Sequence, residues 1–453
     1  MFPSRWHPRQ CFVWFAAHAT LATAVLPCTN RALGAQQARP ESTTTNLGSL
    51  YRLIATASPR ITAARASARA VAARVSTAKL PPDPQLQFGL MNRTLWSLQP
   101  DPVLGMTQIQ LMQMLPLAGK LGLAGRVAEA QAAAARERAN DVQWDVRSRV
   151  AMAYYDLYQA DRSLAVAADT RLLLQNIAQT AQTMYAVGDG RQADVLRANV
   201  EVARMTEDII RMQAMRVSMV ARLNATMAHD VVAADAKPAL PAFPAEIPPL
   251  DTLQLMAEAN RPMLKAGGQD VLAALAAERL ARREIWPDLQ VGVQYGHQSL
   301  PMGTQNMGSL MIGATLPIFA HGRQLKMREE ATAMRAEAEA DLLAMRADTR
   351  GRVAQLRADY VRARNLSTLY RSTILPQAGA SVTSSFAAYR VGEVNFMTLL
   401  DNQMTVNKYS QELFALEADE GKTLAELEML IGQAIFDVDT VAEANTPPTG
   451  GVR

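Results

Sequence analysis

The sequence predicts a mainly α protein with a small β part: a two-repeat protomer of long coiled-coil helices and two β-hairpins. Three observations predict it. Two very long stretches, 120–186 and 322–390, space apolar residues by three and four. Two short stretches, 84–115 and 287–317, contain polar-apolar alternation, the period of a strand. The same programme returns at an offset of roughly two hundred residues.

Composition agrees with long helices. The chain has 453 residues, only 6% aromatic, with Gly and Pro gathered at a few places. Its formal charge is +4, but Arg5, Arg9 and Arg31 lie in a leader that contains no acid. Without that leader the charge falls to about +1, which gives no electrostatic case for a nucleic-acid partner.

Residues 1–34 have the parts of a secretory signal. Arg5 and Arg9 make a positive start, a mostly apolar run from Cys11 to Pro27 follows, and small residues surround a cut near Gly34. Lipidation of Cys28 is an alternative, made poor by Pro27 just before it. Both cysteines, Cys11 and Cys28, lie in the leader, so no disulfide is expected after processing. No later stretch has eighteen uncharged apolar residues, so a membrane span would have to be made of strands.

Residues 35–46 are Gln/Thr/Ser-rich and expected to be flexible. The first repeat covers 47–228. It opens with a helix over 47–79, marked by Leu50, Leu53, Ile54, Ala57, Ile61 and Ala64, with Pro59 as an early break. In the hairpin 84–115, Gln85 to Leu90 and Thr107 to Leu111 alternate around a loop carrying Trp96, Pro100 and Pro102. The long helix 120–186 has a seam of Val142, Val146, Val150, Ala153, Leu157, Ala160 and Leu164. Val187-Gly188-Asp189-Gly190 turns the chain into a return helix over 192–228. Residues 229–250, with five prolines, read as a linker.

The second repeat, 251–432, follows the same order: a helix, the hairpin 287–317 with a central Gly/Met/Asn loop, a long helix 322–390, and a return helix 396–431. Its seam runs through Leu342, Met345, Thr349, Val353, Leu356, Tyr360, Ala363, Ser367 and Tyr370, with a kink expected at Pro376. Val391-Gly392-Glu393-Val394-Asn395 makes the turn. Residues 433–453 are a short tail.

Four strands cannot close a barrel, whose smallest examples have about eight, but three chains would supply about twelve. In that reading Leu86, Phe88, Leu90, Leu289, Val291, Val293, Tyr295, Leu310 and Ile312 face lipid. Gln85, Gln87, Gln290, Gly292, Gln294, Gly313 and Thr315 face the lumen. The rival is a four-stranded sheet packed on helices in a soluble α+β protein.

Leu316-Pro317-Ile318-Phe319-Ala320-His321-Gly322-Arg323 resembles the strand-exit segment of the TolC-like outer-membrane efflux proteins, and Leu115-Pro116-Leu117-Ala118-Gly119-Lys120 is its first-repeat counterpart. Gly392 followed by Leu399-Leu400-Asp401-Asn402-Gln403 resembles that family's turn and return helix. Val195-Leu196-Arg197-Ala198-Asn199 departs from it, with arginine where aspartate is usual. The resemblance covers nearly all of the chain after the leader. It implies a homotrimer with a 12-stranded β-barrel in outer-membrane lipid and an α-barrel through the periplasm. It also implies a periplasmic adaptor docked on the helix turns, an inner-membrane pump of the RND type, and a linker lying in an equatorial belt.

No catalytic or cofactor-binding constellation is present, and no histidine pair has metal-ligand spacing. Asp189, Arg191, Asp194, Glu393 and Asp401 lie near the turns and are gate candidates, since copies would form charged rings. The plainer reading is that they cap and solvate helix ends. Val187, Gly188, Val391 and Gly392 are adaptor contacts by family position only. Met106, Met112, Met114, Met302, Met307 and Met311 suit a soft-metal path or flexible apolar filler. The expected function is a passive efflux duct for small molecules or metal ions. The alternatives are a type I protein-secretion duct and a soluble periplasmic coiled-coil adaptor or scaffold.

Overall fold

A computed structural model of the chain describes residues 44–93, 99–101, 105–230, 232–233, 235–300 and 302–436. The signal segment, Cys28, the Trp96 loop and most of the tail lie outside the described residues. In chain order the elements are β1 (Thr44–Thr45), α1 (Leu47–Ala57), α2 (Pro59–Ala78), β2 (Gln85–Met91), β3 (Met106–Leu115) and α3 (Lys120–Ala186). Then come α4 (Gln192–Met227), β4 (Lys237–Pro238), α5 (Leu250–Asn260), α6 (Pro262–Arg283), β5 (Leu289–Leu300) and β6 (Gly303–Ala314). The last three are α7 (Gln324–Leu369), α8 (Leu375–Arg390) and α9 (Phe396–Ile431).

Asn46 caps α1 by accepting from the Gly48 N–H, and Pro59 opens α2, where its missing N–H costs nothing. The first helix is therefore two helices broken at Ser58, and Pro262 breaks the second repeat in the same way. Helix α3 has 67 residues, about 100 Å of rise. Val146, Val150, Ala153, Leu157 and Ala160 of its seam are buried, as are Thr349, Val353, Leu356, Tyr360, Ala363 and Ser367 on α7.

Three differences from expectation have physical causes. Within the segment 35–46, expected to be flexible, Thr44–Thr45 pairs in parallel with Lys237–Pro238; residues 35–43 lie outside the described residues. The hydroxyl oxygen of Tyr154, near the middle of α3, lies 2.7 Å from Thr45 O and 2.6 Å from Ala239 O. The expected helix 322–390 starts at Gln324 and is interrupted by a π turn at Tyr370–Ile374. Leu375 donates to Tyr370 O, five residues back, which widens the helix just before Pro376, a residue with no N–H to continue the ladder. The Gly/Met/Asn loop of the second hairpin is strand: β5 and β6 pair out to Leu300 and Gly303.

The four longer strands form one antiparallel sheet in the order β2-β3-β5-β6. The hairpin of each repeat is intact, and β3 joins it to β5 of the other. Among the described residues no helix is long and apolar enough to cross a membrane.

Candidate functional site

The sheet has two unlike faces, because directly opposed residues of paired strands share a face. The row Leu86, Leu111, Val293, Leu310 crosses all four strands, and Phe88, Ile109 and Tyr295 lie in the next row on that side. Leu90 belongs to the same face, with Leu289, Val291 and Ile312. These side chains are not covered within the chain: Leu86 is 71% exposed, Phe88 65%, Leu310 69% and Ile312 70%. Left in water, such a patch is an association or aggregation site.

The opposite face carries Gln85, Gln87, Gln108, Gln110, Gln290 and Gln294, spaced by Gly292 and Gly313. Gln294 donates to Gln108 across the β3–β5 seam at 2.5 Å. Met106, Met112, Met114, Met307 and Met311 share this polar face, the pairing of β3 with β5 bringing the methionines of the two hairpins together. Of the histidines, His297 Nδ1 lies 2.8 Å from Asn306 Oδ1, and His229 Nε2 lies 3.3 Å from Ala57 O. Among the described residues no three His, Cys, Asp or Glu side chains gather as a metal site.

Where the sheet meets the helices, Lys120 is buried at 5% exposure. Its ammonium donates to Trp286 O at 2.9 Å and Asp288 Oδ1 at 2.8 Å, with Glu284 Oε2 at 3.5 Å. The start of α3 is thereby tied to the strand entry of the second repeat.

At the other end of the helices lie the two turns. Gly188 (φ 89°) and Gly392 (φ 77°) adopt left-handed backbone, which lets α3 and α8 stop within one residue. Asn395 caps α9 by accepting from the Thr398 N–H at 2.9 Å. Beneath the turns, Ile177, Ala181, Ala198, Tyr389, Phe396, Leu399 and Leu400 form a shared core. Burial raises the Tyr389 pKa, helped by the nearby Asp194 carboxylate. Val187 and Val391 project into solvent at 68% and 69% exposure. Asp189, Arg191, Glu393 and Asp401 are exposed and Asp194 is half-buried. Among the described residues these five form no ion pair within the chain.

Between sheet and turns the return helix α9 buries three carboxylates. Glu417 accepts from Tyr158 at 2.7 Å and pairs with Arg371; Glu420 pairs with Arg364 at 3.2 Å and accepts from Ser367. Glu428 pairs with Arg147 at 3.3 Å and accepts from the Ile435 N–H at 2.7 Å. Burial raises the pKa of Glu420 and Glu428, against the pull of their arginines. Sequence reasoning missed these residues. Their only signal is acid at the apolar spacing of α9.

The geometry therefore pairs an uncovered, two-faced sheet with a long helical body made of two equivalent halves. Two stretches, 50–229 and 254–433, each match the outer membrane efflux protein family, and together they span most of the chain. The chain belongs to the outer membrane efflux protein family. No curated protein sequence matches it. Among solved structures it is similar to the outer-membrane channel OprN, at TM-score 0.73 and 17% identity over 86% of this chain and 90% of that one. It is similar to the outer membrane protein VceC from Vibrio cholerae, at 0.71 and 16% over 86% and 97%. It is also similar to the Campylobacter jejuni CmeC outer membrane channel, at 0.71 and 14% over 92% and 96%.

Outer membrane efflux proteins form trimers and act in tripartite pumps. The chain is thus an outer-membrane efflux channel, a protomer whose sheet contributes to a β-barrel and whose helices form an α-helical tunnel into the periplasm. The soluble α+β reading falls with this membership. The family and its solved relatives are channels rather than enzymes.

Proposed function

We propose that this efflux channel is a passive duct whose periplasmic mouth is formed by the two helix turns. A periplasmic adaptor docks there, and charged side chains set the aperture. The observation that carries this reading is the matched pair of turns. Val187-Gly188 and Val391-Gly392 are equivalent in the two repeats, both valines are exposed, and both glycines are left-handed. Three copies present six such knobs in a ring, a surface that suits an adaptor with repeated helical tips. Asp189, Arg191, Asp194, Glu393 and Asp401 stand beside them, among the described residues without ion-pair partners in their own chain. In a ring they meet the neighbouring copies, where opposite charges hold the aperture narrow.

Energy for transport then comes from an inner-membrane pump of the RND type, with small molecules or metal ions as cargo. The apolar sheet face (Leu86, Phe88, Leu90, Leu289, Val291, Val293 and Tyr295) contacts lipid, and the glutamine face lines the exit. The linker 229–250 forms part of a belt at mid-height. Supporting this, Arg216 of α4 reaches Asp161 Oδ1 at 2.8 Å and Ala236 O at 2.7 Å, holding the linker on α3. The test is single-channel conductance in a planar bilayer. Asp401→Asn and Arg191→Ala should each raise the conductance of the resting trimer severalfold. Unchanged conductance in both would reduce these charges to helix-end solvation.

A further inference from the structure

Among the described residues two sheet edges are unpaired: β2 pairs only with β3, and β6 only with β5. An open edge is a template for another strand, and in a bilayer its bare N–H and C=O groups must be satisfied. The repeat says which strand fits and in which register.

The two hairpins are equivalent strand by strand. Pro82 corresponds to Pro287, a shift of 205, and Leu115 to Leu316, a shift of 201. In the first hairpin Gln85 pairs with Met112. Shifting each strand by its own offset gives Gln290 with Gly313, which is the pairing in the second hairpin. The same shifts can be applied to the seam between repeats, where β3 pairs with β5. Leu111 opposite Val293 then becomes Ile312 opposite Phe88, and Met112 opposite Gly292 becomes Gly313 opposite Gln87.

Resting on the trimer stated above, we infer that β6 of one copy pairs antiparallel with β2 of the next in this register, and that Arg323 of the first is ion-paired with Asp83 of the second. The faces agree throughout. Ile312 and Leu310 meet Phe88 and Leu90 on the apolar side, and Gly313 and Met311 meet Gln87 and Gly89 on the polar side. A slip of one residue would put apolar side chains into the lumen. A slip of two keeps the faces but separates the charges by about 7 Å.

The ion pair follows from the same equivalence. Within the chain, Lys120 at the start of α3 binds Asp288 ahead of β5 at 2.8 Å. The long helices match at a shift of 203, as Val150 with Val353, because the strand exit of the second repeat is two residues longer. Arg323, just ahead of α7, then corresponds to Lys120, and Asp83, ahead of β2, corresponds to Asp288 at the shift of 205. Both are exposed, and among the described residues neither has an ion-pair partner in its own chain. The local charge differs at one place: Glu284 corresponds to Lys79. The Lys79 ammonium is neutralised by Glu129 of its own chain at 2.5 Å, so it leaves Asp83 to the arginine. A head-to-tail contact of this kind closes a ring when the rotation fits, as three copies require.

The test uses the full chain in outer membranes, oxidised and run on non-reducing gels. Gln87→Cys with Gly313→Cys should give reductant-sensitive dimers and trimers, and either cysteine alone should give at least tenfold less. Gln87→Cys with Ser309→Cys, roughly 13 Å off register on the same face, should also give at least tenfold less. Equal or greater cross-linking of the Ser309 pair in an intact trimer overturns the register and leaves the trimer standing. A wild-type monomer on native gels overturns both. For the ion pair, Asp83→Arg and Arg323→Asp should each lower the temperature at which the detergent-resistant trimer dissociates, and the double exchange should restore it. Failure of the exchange to restore it removes the clamp.

Discussion

At the scale of single residues, the contact of α9 with α3 depends on Gly421. A Cβ at this position of α9 would overlap the Tyr155 ring of α3, with three ring carbons within 2.6 Å. Ala418 and Ala425 flank it, so a small-residue stripe lets the return helix press against a buried aromatic pair, Tyr154 and Tyr155, whose rings meet edge to face at 5.6 Å. In an exposed helix Gly→Ala stabilises by about 1 kcal/mol, but here the added methyl must displace a ring held on all sides. Gly421→Ala is therefore expected to destabilise by about 1–3 kcal/mol. Chemical unfolding of the detergent-solubilised protein measures it, and a stabilised variant would show that α9 can move away freely.

At the scale of elements, α9 places carboxylates where its neighbours bury them, and this makes its packing depend on pH. Burial holds the Glu420 pKa above the ordinary carboxylate value in the folded state. The folded protein then binds a proton that the unfolded chain does not, so stability from this group rises as pH falls through the raised value and levels off below the ordinary one. Across that window wild type should gain thermal stability relative to Glu420→Gln. Parallel pH profiles for the two proteins, or a steeper loss in wild type, would contradict the assignment. Such a group is hard to read in advance. The seams of α3 and α7 were legible because Val146, Val150, Val353 and Leu356 repeat at helical spacing and apolar area alone buries them. Glu420 is buried by Arg364 and Ser367 on another helix, and nothing local in the sequence announces those partners. The length of β5 and β6 was hidden for a related reason. Gly, Gln, Asn and Met carry little intrinsic strand preference, and pairing across the hairpin carries them into the sheet.

At the scale of the whole molecule, the protomer leaves its sheet unfinished: one face is apolar and uncovered, and both edges are open. These features make physical sense together only in a bilayer and in company with other copies. Water would penalise the Leu86–Leu111–Val293–Leu310 row, while lipid would penalise the glutamine rows and the free edges. Arginine substitution on opposite sides of one strand separates the faces. Leu111 and Gln110 are neighbours on β3, so depth and strand are nearly the same and only the side differs. Leu111→Arg should cost about 2–4 kcal/mol if it enters hydrocarbon near mid-depth, and assembled trimer in the outer membrane should fall accordingly. Gln110→Arg should assemble to near wild-type levels and shift ion selectivity toward anions, because its added charges would ring the lumen. Trimer yield on membrane fractions and reversal potentials under a salt gradient read the two effects separately. If the losses are exchanged, with Gln110→Arg failing to assemble and Leu111→Arg altering selectivity, the sheet is turned inside out, with the glutamine face toward lipid. If both assemble equally, the apolar face does not meet lipid at all.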